Sequence, residues 1–242
     1  IISPDRERDM LRSYISMYEQ SGWMPTFPQV YGDAKCMIGH HQAAIFADAW
    51  AKGIRSFSKS KAYAGLRKNA FKGTLLPWKE GPATELDNFY HENGYFPALA
   101  PGEKETIKAV HPYEKRQAVA VTLEHSYNDW CLGQLAEAWN YHEDAEILKK
   151  RAENYKNVFK SETGFMSPKK ADGSWVEPFD PKTSGGDGCR EYFAEVNSWN
   201  YTWSVQHDIP ALIELMGGEE AFIKKLDQLF TESLTGYAKW GT

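Results

Sequence analysis

The sequence contains no block of basic residues, no paired cysteines and no apolar run long enough to cross a membrane. Its 28 Lys and Arg residues are outnumbered by 33 Asp and Glu residues, which gives a formal net charge of −5. Without a basic patch, the charge pattern does not favour nucleic acid as a partner. A membrane-spanning helix needs about 20 consecutive apolar residues. The sequence therefore predicts neither a nucleic-acid-binding face nor a transmembrane segment.

Cysteines are also few. Cys36, Cys131 and Cys189 lie far apart, and an odd number of isolated cysteines offers neither a disulfide framework nor the ligand spacing of a zinc site. The HExxH motif of zinc proteases is missing, and no glycine-rich motif follows a strand pattern to hold a nucleotide phosphate. These features count against several classes of metal and nucleotide site.

Aromatic residues, in contrast, are abundant. They make up 14% of the chain and include 9 Trp and 13 Tyr. Such a content can fill a large core. It is also typical of carbohydrate sites, because the apolar face of a sugar stacks on a ring while its hydroxyls accept and donate hydrogen bonds.

Helical patterns alternate with long loops rich in Gly, Pro and aromatic residues. Apolar spacing predicts helices over about 4–21, 41–52, 60–71, 116–139, 143–159 and 209–216, and a last helix carrying Phe222, Leu226, Leu229 and Phe230. Ser3 and Asp208 are the predicted N-caps of the helices over 4–21 and 209–216, and Gly22 is predicted to end the first. Residues 73–112 are interrupted repeatedly by Gly and Pro, which predicts turns or short strands, and residues 161–188 form a second long irregular loop rich in Gly, Asp and Pro. Consecutive helices with one apolar face can pair into a ring of hairpins, and long loops at one end of it would form a pocket. We therefore predict an all-α domain, and we expect the chain to be an excerpt of a longer polypeptide.

Glu195 is the strongest catalytic candidate. It precedes Trp199, Tyr201 and Trp203 in the stretch "EVNSWNYTW". The simpler alternative is a solvated or helix-capping glutamate beside rings that fill the core. If the carboxyl group instead lies among the rings, burial raises its pKa and keeps it protonated near neutral pH. A protonated carboxyl group can donate a proton to a glycosidic oxygen.

Other polar residues have weaker patterns. Glu124 and Asn128 share a helix face with Asp129 beside them, which predicts a buried hydrogen-bond network or the wall of a pocket. His40 and His41 begin a helix, where a cap or a core hydrogen bond is the preferred interpretation. Adjacent helical residues point about 100° apart, so the two histidines do not easily share a metal. For Asp172, Asp180 and Asp187, which lie in the second Gly- and Pro-rich loop, turns are expected.

Taken together, several blocks resemble glycoside hydrolase family 92, the calcium-dependent exo-acting α-mannosidases. They occur in the family's order and spacing along nearly the whole chain, and include "SGWMPTFPQ", "MIGHHQAAIFADAWAKGI", "TLEHSYNDWCLGQLAE", "TGFMSPKKADGSW", "EVNSWNYTWSVQHDIPALIELMGG" and "FIKKLDQLF". The resemblance implies part of an (α/α)6 barrel, spanning residues 1–242, with an N-terminal β-sandwich and the rest of the barrel outside this chain.

The resemblance also implies a function. It implies inverting hydrolysis that releases mannose from the non-reducing ends of α-mannosides such as N-glycans or mannan, in a secreted, periplasmic or cell-surface protein. Glu195 matches the family's general acid, and Trp23, His40, Trp199 and Tyr201 are the implied sugar contacts. The catalytic base and most calcium ligands are implied to lie beyond this chain, so the isolated chain is expected to be inactive.

Some residues depart from the family pattern. Val196 replaces a usual Gly, Asn200 a common Gln, His40 a frequent Asp and His125 a common Tyr, which puts the sugar contact of His40 in doubt. Two alternatives stay open: a non-catalytic glycan-binding helical domain, and a glycosidase of a different helical-toroid family.

Overall fold

The computed structural model describes residues 3–187 and 190–232. The chain forms two compact units: unit 1 comprises Ile1–Asn88 and Glu124–Glu153, and unit 2 comprises Phe89–Leu123 and Asn154–Thr242. The helices are α1 (Pro4–Ser21), α2 (Gln42–Ala51), α3 (Lys59–Lys72), α4 (Glu85–Asn93), α5 (Ala118–Ala138), α6 (His142–Arg151), α7 (Ser198–Tyr201), α8 (Ile209–Leu215) and α9 (Glu219–Thr231). Cys189 and the residues after Glu232 lie outside the described part of the chain.

Strands contribute little to the described residues. Strand β1 (Pro28–Gln29) pairs antiparallel with β2 (Gly32–Asp33), and β3 (Phe159–Lys160) pairs antiparallel with β4 (Phe165–Met166). The predicted all-α class is therefore confirmed, while closure into a six-hairpin ring stays a prediction. None of the described helices combines the length and the hydropathy that a bilayer-crossing helix requires.

Unit 1 is built around a single apolar core. Its buried members come from helices α1, α2, α3, α5 and α6 and include Leu11, Phe46, Leu66, Leu132, Leu135 and Leu148. The first helix ends as its sequence predicts, because Gly22 adopts a left-handed φ of 83° and its N–H donates to the Tyr18 carbonyl at 2.7 Å. The predicted cap at Ser3 is wrong in detail, since its side chain makes no capping hydrogen bond.

Helix α4 is a helix that the sequence analysis missed. In its first turn the Thr84 N–H and hydroxyl both donate to one carboxylate oxygen of Asp87, which is the carboxylate half of a capping box. The other oxygen of this fully buried carboxylate accepts from the Leu75 N–H at 2.7 Å. The Thr-x-x-Asp spacing was the available signal, and the neighbouring Gly and Pro residues obscured it.

The helix predicted over 143–159 is too long. Helix α6 ends at Arg151, and the chain continues as a 3-10 turn over Asn154–Val158 into β3. Tyr155 and Val158 are fully buried within unit 2. The Tyr155 hydroxyl donates to Asp208 at 2.8 Å, and the Asp208 side chain also caps α8 at Ala211 N–H, as predicted. Tertiary contacts of these side chains thus override the helical spacing.

Candidate active site

The peptide backbone at Glu195 is held in place by one loop of unit 2. The Glu195 carbonyl accepts hydrogen bonds from the Ser184 hydroxyl at 2.6 Å and from the Gly186 N–H at 2.8 Å. The Gly185 N–H donates to the next carbonyl, that of Val196, at 3.1 Å. Hydrogen bonds therefore tie residues 184–186 to residues 195–196. These bonds fix the position of the Glu195 backbone, from which the side chain extends.

Gly185 permits this contact because it has no side chain. A Cβ atom at Gly185 would lie 2.5 Å from the Phe193 carbonyl oxygen and 2.7 Å from the carbonyl carbon of Ala194. Such distances are shorter than any normal contact, and the opposing atoms belong to the backbone, which cannot rotate away. Any larger residue at 185 must therefore push the two segments apart.

Helix α7 begins at Ser198, shortly after Glu195. The Asn197 side chain accepts a hydrogen bond from the Asn200 N–H and caps the helix. Ser198, which is fully buried, donates its hydroxyl hydrogen to the Met166 carbonyl at 2.5 Å. Glu195 thus lies two residues ahead of the cap, in the bend that leads into α7.

The aromatic residues after Glu195 lie inside unit 2. Trp199 is 7% exposed and packs edge to face against Phe165 at 4.7 Å, while Tyr201 is 8% exposed and stacks on Phe193 at 5.4 Å. Both rings therefore fill the core of unit 2, which is the simpler of the two interpretations that the sequence allowed. Their predicted contact with a sugar stays a prediction, and an open stacking face is not present at either ring.

Glu195 itself is exposed to solvent. This corrects the expectation of a poorly hydrated carboxyl group wedged among the rings of Trp199 and Tyr201. The physical reason is the helix cap: because Asn197 caps α7 and the helix starts at Ser198, the two rings turn into the core while Glu195, two residues before the cap, stays outside. The catalytic role of Glu195 is a separate matter and stays a prediction.

A second polar cluster lies in unit 1 around His40. Its backbone N–H donates to the Asn128 side-chain oxygen, and the Asn128 amide nitrogen lies 3.2 Å from His41 Nδ1. His41 Nε2 in turn lies 3.6 Å from a carboxylate oxygen of Glu124. Glu124 and Asn128, the i, i+4 pair on α5, thus contact the two histidines. Sequence spacing alone did not predict these contacts.

His40 is half-buried as a residue, and its ring nitrogen Nδ1 is buried. Burial, with a smaller contribution from the positive charge of His41, lowers the pKa of His40 to about 4. The ring packs edge to face on His125 at 4.7 Å, so two positions that depart from the family pattern contact each other. The enclosed space lined by His40 and Gln42 is about 10 Å³, the size of one water and too small for a sugar.

Asp129 confirms the buried-network interpretation of its helix face. Its carboxylate receives two hydrogen bonds from Arg151, Nε to Oδ2 at 2.7 Å and Nη2 to Oδ1 at 3.1 Å. Burial nevertheless raises the pKa of Asp129 to about 6, against the attraction of Arg151. Burial also raises the pKa of Glu124, and His41 opposes that rise.

Trp23, the remaining predicted sugar contact, is a half-buried ring of unit 1. The Lys68 ammonium lies 4.3 Å from the ring centroid, and the Lys68 side chain also donates to the Gly22 carbonyl at 2.6 Å. A cation fixed against this ring limits its use as a stacking surface. The contact of Trp23 with a sugar stays a prediction.

The aspartates of the second loop behave as turn formers where their side chains are described. Asp172 accepts from the Ser174 N–H at 2.9 Å, and Asp180 accepts from the Lys182 N–H at 2.9 Å. The backbone of Asp187 ends a short 3-10 turn that begins at Gly185. Within residues 3–187 and 190–232, no group of three or more His, Cys, Asp and Glu could hold a metal ion. The described residues therefore supply no such cluster for the implied calcium, and its ligands stay a prediction for residues beyond this chain.

Comparison with known proteins identifies the family. The model of the glycosyl hydrolase family 92 catalytic domain matches residues 1–240. An uncharacterized secreted glycosidase of Arthroderma benhamiae is 24% identical over 93% of this chain and 30% of its own length. A family 92 inverting mannosidase from Bacteroides thetaiotaomicron VPI-5482 is 34% identical, with a TM-score of 0.77 over 93% of this chain. A family 92 α-mannosidase from Bacteroides thetaiotaomicron is 26% identical, with the same TM-score over 97% of this chain.

This chain spans 28% of the length of both matched mannosidase structures. The match includes both the Glu195 loop and the His40 cluster, because it extends over nearly every residue of the chain. The chain therefore belongs to glycosyl hydrolase family 92, as part of the family's catalytic domain.

Proposed function

We propose that the whole protein is an exo-acting α-mannosidase that releases mannose from the non-reducing ends of α-mannosides with inversion, and that Glu195 is its general acid. The observation that carries this proposal is an accessible carboxylate on a fixed backbone in a chain of this family. A general acid must reach the glycosidic oxygen, and exposure at Glu195 leaves it able to do so.

The surroundings of Glu195 change when substrate binds in this proposal. A sugar ring placed against the carboxyl group displaces water from it, and desolvation raises the pKa of a carboxyl group. The proton then stays available for the leaving oxygen. We assign no described residue as the base that activates water in an inverting reaction.

The test uses the full-length protein and the isosteric variant Glu195→Gln. Because general acid catalysis contributes about 10²- to 10⁴-fold, kcat for an α-mannobiose should fall by at least about 100-fold. A substrate with an activated leaving group, such as dinitrophenyl α-mannoside, needs little protonation and should lose much less. The matched control is Glu162→Gln, an exposed glutamate of the same unit, which should retain wild-type rates on both substrates.

Two outcomes would refute the assignment of Glu195. One is near-normal hydrolysis of mannobiose by Glu195→Gln, and the other is an equal loss on both substrates. Proton NMR of the fresh product tests inversion, because an inverting enzyme releases β-mannose from an α-mannoside. Retention would contradict the mechanism while leaving the substrate class intact.

The proposal also covers calcium and location. We propose that the whole protein requires calcium bound by residues outside the described chain, and that it acts on glycans outside the cytoplasm. A chelator should abolish mannose release and added calcium should restore it. Cell fractionation should recover the activity in the secreted, periplasmic or surface fraction, and a purely cytoplasmic activity would contradict the proposed location.

A further inference from the structure

A groove in unit 2 opens beside the loop that holds Glu195. Its volume is about 410 Å³, within the range of about 300–1,000 Å³ that small-molecule sites occupy. We call it the Phe179 groove; its lining includes Pro101, Glu103, Phe179, Asp180, Glu191 and Tyr192. All of these residues belong to unit 2.

The backbone connects this groove to position 195 from two directions. Thr183 lines the groove, and the next residue, Ser184, donates its hydroxyl hydrogen to the Glu195 carbonyl. From the other side, Glu191 and Tyr192 line the groove and precede Glu195 by four and three residues. The groove and the proposed acid therefore share one rigid loop assembly.

The chemistry of the groove suits a sugar ring. Phe179 is half-buried and held edge to face by Tyr192 at 6.0 Å, which leaves part of an ordered aromatic ring at the surface. Glu103 and Asp180 are exposed carboxylates, each of which accepts one backbone hydrogen bond, from Ala100 and Lys182. A carboxylate has about four acceptor sites, so both can still accept from hydroxyl groups.

A metal ion is the other ligand that carboxylates take. The carboxylates of the groove do not meet the requirement for one, since no group of three potential ligands within residues 3–187 and 190–232 could hold a metal. A hydroxyl-rich ligand with an apolar face satisfies both the aromatic ring and the separated carboxylates.

The position of the general acid indicates which sugar this would be. The acid donates its proton to the oxygen that departs with the leaving group, so it must border the leaving-group side of the bond. Resting on the proposed function, we infer that the Phe179 groove binds the second sugar of the substrate, the one left behind when mannose is released. Phe179 and Asp180 are then specificity-determining residues.

Two substrates separate this role from a general effect. An α-mannobiose places a sugar in the groove, whereas α-mannosyl fluoride has a leaving group too small to reach it. In the full-length protein, Phe179→Ala and Asp180→Asn should each lower kcat/KM for mannobiose about tenfold or more, the usual scale for one binding contact. Both variants should hydrolyse mannosyl fluoride within about twofold of wild type.

The variant Asp180→Asn is expected to keep the native fold of the loop. Asn at position 180 has the same shape as Asp and can still accept the Lys182 N–H, so the turn is preserved. The matched control is Asp172→Asn, which alters a turn-forming aspartate of the same loop outside the groove and should leave both substrates unaffected.

The outcomes distinguish failure of the groove assignment from failure of the proposed function. If wild-type protein hydrolyses both substrates and the variants change neither, or change both equally, the groove does not bind the second sugar while the proposed function stands. If wild-type protein hydrolyses no α-mannoside, the proposed function fails and the inference fails with it. Selective loss on mannobiose supports both.

Discussion

The buried ion pair of Asp129 and Arg151 yields a prediction about stability and pH in unit 1. Asp129 is 1% exposed and Arg151 is 9% exposed, and the guanidinium also donates from Nη2 to the Ala70 carbonyl at 2.9 Å. The perturbation is Arg151→Met, which keeps a long apolar stem and removes the charge and all three hydrogen bonds.

The loss of folding free energy that we expect for Arg151→Met has two parts. Losing the donor to the Ala70 carbonyl costs about 1–3 kcal/mol at any pH. The second part depends on pH because the pKa of Asp129 is raised in the folded state, to about 6 from a usual 3.8. A raised carboxyl pKa means that stability falls as pH rises, until the folded carboxyl group ionises.

In wild-type protein that fall ends near pH 6. In Arg151→Met the Asp129 carboxyl group has no positive partner and stays protonated to higher pH. The stability of the variant therefore continues to decrease above pH 6. Between pH 6 and pH 7.5 the extra loss is 1.5 pH units at about 1.4 kcal/mol each, roughly 2 kcal/mol. We expect a total cost of about 3–5 kcal/mol at pH 7.5 and only about 1–3 kcal/mol at pH 5.

Amide hydrogen exchange in the full-length protein measures this cost locally, through the opening free energy of peptides from α5 and α6. Arg67→Met is the matched control, because Arg67 also pairs with an aspartate, Asp144, in unit 1 but the Arg67 side chain is 41% exposed. It should cost about 1 kcal/mol or less. The double variant Asp129→Leu, Arg151→Met should show no pH-dependent part. An Arg151→Met cost that is equal at pH 5 and pH 7.5 would refute the reasoning.

Three further predictions concern the same unit. Leu148→Ala should lower the opening free energy of α6 by about 2–5 kcal/mol, because the side chain is fully buried; its neighbour Ile147, 47% exposed, should tolerate alanine with a loss under about 1 kcal/mol. The NMR signal of the His40 ring should titrate with a midpoint near 4, since burial lowers its pKa, and a midpoint above 6 would contradict that environment. Asp87→Ala should cost more than the roughly 1 kcal/mol of an ordinary cap, because the carboxylate also accepts from the buried Leu75 N–H; exchange at α4 unchanged from wild type would rule this out.

The sequence predicted those parts of the fold that depend on local signals. Gly22 ends α1 and Asp208 caps α8 because a left-handed glycine and a side-chain acceptor act within one turn of helix. The end of α6 was not predictable in this way. There, Tyr155 follows a helical spacing but is fixed by a hydrogen bond to Asp208, which is 53 residues away in the sequence.

In the candidate site, too, local sequence signals were predictive and long-range contacts were not. The identity of Glu195 as a candidate came from its neighbours in the sequence, but its exposure depends on where α7 begins and on which way Trp199 turns. The contact between His40 and Asn128 joins residues 88 positions apart, so no local pattern contains it. The Ser184 contact with the Glu195 carbonyl is likewise a product of loop packing rather than of residue spacing.

The tight fit at Gly185 has a consequence for how this loop can vary in length. Since the glycine presses against the backbone of Phe193 and Ala194, an insertion next to it would shift the proposed proton donor. At Gly173 the left-handed φ of 84° still favours glycine, but no neighbouring atoms lie within 4 Å of an added Cβ, so an insertion beside this turn displaces no backbone. Natural or engineered changes in loop length should therefore accumulate near Gly173, and a loop exchange meant to retarget the enzyme should keep residues 184–186 as a fixed anchor.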